Sequence, residues 1–166
     1  MLVLGIDPGT ATTGYGLVRE APNGGLEAVD HGVILTPASL EMPQRLAQLY
    51  EQLNHIIARH RPEGSAVEKL FFQKNVSTAM TVGQARGVIL LGLAQAGLDV
   101  AEYTPNEVKQ AVVGYGSAQK KQVQEMVRVL LALKTIPKPD DAADALAVAI
   151  CHLHTQRTQS LYQANS

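Results

Sequence analysis

Leu2-Val3-Leu4-Gly5-Ile6-Asp7-Pro8-Gly9-Thr10 is the stretch whose reading decides the fold. An apolar, β-compatible run meets an acid and then Pro-Gly, the pattern of a strand entering a turn. Being apolar on both faces, the run predicts a central strand with helices packed on each side. Asp7 then closes that strand, at the rim where open α/β sheets collect ligands. The same run is too short for a signal sequence, lacks a preceding positive region and ends in an acid.

Outward from this strand, Thr13 to Arg19 and Leu26 to Leu35 are two further β-forming runs. The joining segments are short and rich in Gly, Pro and Thr, which favours an antiparallel meander. The period then changes. Pro43 to His60 carries Leu46, Leu49, Tyr50, Leu53, Ile56 and Ile57 at helical spacing, and Pro62 bars continuation. Ser65 to Leu70 reads as a fourth strand, Asn75 to Ala96 as a long helix, and Asp99 to Tyr103 as a fifth strand. Thr104-Pro105-Asn106-Glu107 is a capping box with proline at the first helical position, starting a helix that stops near Gly114. Further helices are expected from about Ser117 to Leu133 and from Asp140 or Asp141 to about His154. Three antiparallel strands followed by alternating helices and strands predict an α/β, ribonuclease H-like fold: a five-stranded mixed sheet flanked by helices. Residues 1–155 are expected to form one domain, with 156–166 a polar, flexible tail.

A length of 166 residues suits one domain with a proper core. No run of about eighteen apolar residues exists, so no membrane span is expected. The lone Cys151 excludes an intrachain disulfide, fits a small core residue and points to a reducing cytoplasm. The net charge of −1 argues on its face against a nucleic-acid partner, but the charges are unevenly spread. Residues 1–63 hold four basic and seven acidic side chains, whereas 69–138 hold nine basic (Lys69, Lys74, Arg86, Lys109, Lys120, Lys121, Arg128, Lys134, Lys138) and four acidic. A basic stretch beside an acidic site is what a nuclease requires; a solvated helix face is the bland alternative.

The acidic site is Asp7, Glu68, Asp141 and Asp144, each at a strand end or helix start among apolar neighbours. Two carboxylates about 4 Å apart repel by roughly 4 kcal/mol at an effective dielectric of about 20, and a shared cation turns repulsion into binding. Oxygen-only ligands select hard ions such as Mg²⁺ or Mn²⁺. Taken singly, Asp7 reads equally as a turn residue and Asp141 as an N-cap. Glu68 within a strand is harder to explain without a partner. Asp140 and Asp144, four apart, also share a helical face, so spacing alone leaves both registers open; Asp140 is expected to cap or screen. Together the acids favour a shared metal site, and beside the basic stretch they are read as a metal-dependent phosphodiesterase acting on DNA.

The strings Gly5-Ile6-Asp7-Pro8-Gly9, Gly14-Tyr15-Gly16, Glu68 with Phe71, Lys74-Asn75, Gly83-Gln84-Ala85-Arg86-Gly87, Val108-Lys109-Gln110 and Asp141-Ala142-Ala143-Asp144-Ala145-Leu146 resemble the RuvC family of bacterial Holliday-junction endonucleases. That resemblance implies that Asp7, Glu68, Asp141 and Asp144 are catalytic and hold Mg²⁺, two ions per subunit, with Mn²⁺ as a substitute. It implies paired symmetric nicks in four-way junctions, leaving 5′-phosphate and 3′-hydroxyl ends, in homologous recombination and DNA repair. Lys109 and Lys120 match basic positions near the scissile phosphate, Phe71 an aromatic that stacks on unpaired bases. Lys74 falls in a polar loop beside the site, and Lys121 and Arg128 are expected to extend the phosphate track. The resemblance also implies a homodimer and a partnership with the RuvA–RuvB branch-migration complex.

The helix from Asn75 to Ala96 is apolar almost all round, so a single sheet leaves one of its faces without cover. Met80, Gly83 and Gly87 are the expected dimer contacts. An actin-like ATPase or kinase also opens on Gly-Ile-Asp-x-Gly, but needs a second related domain. An RNA-processing nuclease of the same fold and a non-catalytic junction-binding protein are the remaining alternatives.

Overall fold

A computed structural model describes residues 1–69 and 76–164. Its elements are β1 (Leu2–Asp7), β2 (Thr12–Glu20), β3 (Leu26–Leu35), α1 (Met42–His60), β4 (Gly64–Glu68), α2 (Val76–Gln95), β5 (Val100–Tyr103), α3 (Pro105–Val113), α4 (Lys120–Leu130) and α5 (Asp140–Ala164). The strands form one sheet in the order β3-β2-β1-β4-β5, with β1 at its centre. β1 pairs antiparallel with β2 and parallel with β4, which pairs parallel with β5 from Ser65 to Glu68. This is the ribonuclease H-like arrangement expected from the element order.

Alternation along each strand divides the core in two. Val3, Val18 and Ala66 face α3, α4 and α5. Leu4, Ile6, Leu17 and Val67 face α1 and α2. Asp7 continues the parity of Val3 and Gly5, and Glu68 that of Ala66, so both carboxylates are directed to the α5 side.

Glycines seat α5 on the sheet. A Cβ on Gly5 would collide with the Ala145 carbonyl oxygen and lie 2.6 Å from the Ala149 nitrogen; one on Gly14 would collide with the Asp141 carbonyl. Backbone thus lies on backbone, and the first turn of α5 is pressed against the ends of β1 and β2. The helix itself is lined with small residues there: Ala142, Ala143, Ala145 and Ala149 are all buried.

Some boundaries differ from expectation. The box before α3 forms as read, with the Glu107 N–H donating to Thr104 Oγ1 and the Thr104 N–H to Glu107 Oε2, and Gly114 ends the helix at φ 95°. α4 starts at Lys120 rather than Ser117, because the Gln119 N–H is satisfied by the Gln122 side chain. α5 continues ten residues past His154 to Ala164. Its exposed end carries no core-facing stripe; Thr155, Thr158 and Ser160 hydroxyls donate to carbonyls four residues back.

Candidate active site

Asp7 ends β1, Glu68 ends β4 beside it, and Asp141 and Asp144 stand in the first turns of α5. The parallel register matches Ile6 with Val67, so Asp7 and Glu68 follow as neighbours at one rim. The seating of α5 on Gly14 delivers the other two acids to the same rim.

Electrostatics record the crowding. Burial, then the charges of Glu68, Asp144 and Asp141, push the Asp7 carboxyl up to about 8, and it hydrogen-bonds to Glu68. Asp7 therefore keeps its proton at neutral pH. Glu68 is raised by burial and by Asp144, against the opposing hydrogen bond from Asp7 and the charges of Lys120 and Lys109. Burial also raises Asp144, while Lys120 opposes the shift. Lys120 Nζ lies 2.9 Å from Asp144 Oδ2 and 3.5 Å from Asp140 Oδ2.

A cavity of about 220 Å³ opens beside the acids, lined by Glu68, Pro105, Val108, Lys109, Lys120, Val123, Asp144 and Ala147. Its mouth carries two acids and two cations, and its floor is apolar. The apolar floor was not legible as part of a site, because Val108, Val123 and Ala147 look like ordinary core positions in the sequence. Lys121 is exposed on α4 and lies outside this lining. Phe71 and Lys74 lie outside the described residues.

The donor set suits a hard divalent cation: oxygen only, short of positive charge, and partly desolvated. Among the described residues, no three such side chains are already closed into a ligand cage. Bare carboxylates repel, so without a cation the group is balanced by the proton on Asp7 and the ammonium of Lys120. Asp7, Glu68, Asp141 and Asp144 are the side chains that could hold a metal.

On α2, Ala85, Ile89 and Leu93 are buried in the core, whereas Met80 is 64% and Leu91 53% exposed. A Cβ on Gly83 or Gly87 would meet open space. Gly92, by contrast, packs against Leu53 and Tyr50 of α1. No described helix is long and apolar enough to cross a membrane.

A mixed sheet of this order, matched by a solved structure along nearly its whole length, places the chain in the ribonuclease H-like class. The sequence pattern of the family Crossover junction endodeoxyribonuclease RuvC matches residues 3–152, and the chain belongs to that family. It is 63% identical over 158 residues to the crossover junction endodeoxyribonuclease RuvC of Chloroflexus aurantiacus, covering 95% of this chain and 96% of that one. The Thermus thermophilus RuvC structure superposes with a TM-score of 0.89 at 37% identity, covering 96% of this chain and 97% of that one. T. thermophilus RuvC in complex with Holliday junction substrate gives 0.87 at 34% identity, covering 95% and 96%.

Proposed function

We propose that this chain resolves four-way DNA junctions by metal-dependent hydrolysis of phosphodiesters, with Asp7, Glu68, Asp141 and Asp144 as the metal-holding acids. The observation that carries the assignment of residues is the Asp7 carboxyl, pushed to about 8 first by burial and then by the three other acids. Such crowding weakens the fold unless a cation resolves it. Mg²⁺, two ions per subunit with Mn²⁺ as substitute, is the proposed occupant; when bound it supplies Lewis acidity toward water and toward the departing 3′-oxygen.

The chain's own groups do the rest. Lys109 and Lys120, at the mouth of the cavity, attract the phosphate and hold it against the acids. Asp7 would have to release its proton to solvent to serve as a ligand, so metal loading is expected to strengthen as pH rises toward 8. The apolar floor of Val108, Val123 and Ala147 keeps bulk water from the rear of the cavity. Phe71, Lys74 and Lys121 are proposed DNA contacts, Phe71 by stacking on an unpaired base.

The exposed stripe of Met80, Gly83, Gly87 and Leu91 supports a homodimer through α2. A two-fold dimer offers two sites to a junction of approximate two-fold symmetry. A cytoplasmic location and association with RuvA–RuvB complete the proposal, the latter resting on family resemblance.

The test is cleavage of a mobile four-way junction with Mg²⁺, comparing wild type with Asp7→Asn and Glu68→Gln. Both variants are expected to bind the junction and fail to cut it. Full activity in either removes that acid from the metal site.

A further inference from the structure

Asp140 is the acid that the proposed metal cradle leaves without a role. It begins α5, it is exposed, and its Oδ2 stands 3.5 Å from Lys120 Nζ. The same ammonium is 2.9 Å from Asp144 Oδ2. Lys120 belongs to another helix, where it occupies the first position. A cation there opposes its own helix dipole, so its placement answers to the acids of α5. Lys109, the other cation of the cavity, acts on Glu68 through space and forms no ion pair with the cluster among the described residues.

Asp140 and Asp144 are four apart and share one face of α5, about 5–6 Å apart at Cβ. A lysine stem spans both with small rotations. Asp144 cannot serve a divalent cation and the ammonium fully at once, since the two cations repel.

We propose that Lys120 is an internal counter-cation that competes with the metal for Asp144, and that Asp140 is the positioning residue that retains it. When the metal takes Asp144, the ammonium shifts onto Asp140 and stays at the mouth of the cavity, where the substrate phosphate enters. Metal loading and presentation of this cation are then one event. The inference rests on the metal-dependent reading above and adds to it an exchange of partners by Lys120.

The experiment uses the full chain without DNA, with Mn²⁺ as probe and free Mn²⁺ measured by electron paramagnetic resonance. Lys120→Met is expected to bind Mn²⁺ about two- to five-fold more tightly than wild type, the factor that the usual strength of an exposed ion pair converts into. Lys109→Met removes an equal charge without breaking an ion pair to Asp144, and is expected to gain less than Lys120→Met. No gain in Lys120→Met, or an equal gain in both variants, overturns the proposal while leaving the metal-dependent reading in place. A wild type that holds no Mn²⁺ overturns both.

A second measurement needs no change at Lys120. The ¹⁵N-ammonium resonance of Lys120 is expected to move as wild type is titrated with Mg²⁺. In Mg²⁺-loaded Asp140→Asn the same resonance is expected to broaden through fast water exchange. A resonance indifferent to Mg²⁺, or one unaltered by Asp140→Asn, counts against the proposal, because a cap or a solvent-facing charge would leave it so.

Discussion

Replacing Asp7 with Asn should stabilise the metal-free protein while abolishing cleavage. In the fold the Asp7 carboxyl titrates near 8, against 3.8 for the free side chain, with burial as the leading cause and Glu68 next. Between those values the unfolded chain releases the proton and the folded chain keeps it. Stability is therefore complete below about pH 4 and falls as pH rises through 8. At pH 7 the deficit has a ceiling of about 4 kcal/mol, from roughly three pH units above 3.8 at 1.36 kcal/mol each. Asn has the same shape and never ionises, and its amide can still donate to Glu68. Some of the gain is lost to readjustment around the amide, so about 2 kcal/mol is expected at pH 7. For a chain of this size that raises Tm by about 4–8 °C. Melts in EDTA at pH 5 and pH 8 provide the assay, with a larger difference at pH 8. Mg²⁺ should raise the wild-type Tm and narrow the gap. A variant no more stable than wild type in EDTA at pH 8 would refute the account, because Asp7 would then not be crowded by its neighbours.

Gly14→Ala places a methyl against the Asp141 carbonyl, backbone that cannot rotate away. It should cost about 1–3 kcal/mol in urea denaturation and slow junction cleavage. Lys109→Ala, at the cavity mouth, should weaken junction binding and make its dependence on log salt shallower by about one unit; an unchanged slope would take it off the phosphate track. Leu91→Asp should shift the protein toward monomer in sedimentation without altering its helical circular dichroism, since that side chain is 53% exposed in the single chain. An unchanged sedimentation coefficient would exclude α2 as the interface.

Local rules made much of this protein readable. Asp7 and Glu68 could be placed because strands alternate and both acids end apolar runs. The start of α3 was readable because Thr104 and Glu107 satisfy each other within four residues. The far end of α5 was not, since its Gln, Thr and Ser residues carry no apolar period and are held by their own backbone. Lys120 stood out in the sequence as a cation at a helix start, yet its pairing with Asp140 and Asp144 spans two helices and depends on how they dock. Gly5 and Gly14 stood out as residues, but what they make room for appears only once α5 lies across the sheet. Sequence spacing carries neither crossing angle nor depth of approach.

The contact of α5 with Gly5 and Gly14 has a consequence for how this enzyme can vary. Where main chain rests on main chain there is no rotamer left to absorb an error, so the acidic cluster tolerates almost no drift in helix height. The cations proposed to meet the nucleic acid are long and hinged, and they hang from α3 and α4, which join α5 through side chains. The acids are thus built on an anvil and the lysines on fingers: the carboxylates keep one height above the sheet while the ammonium groups stay free to swing.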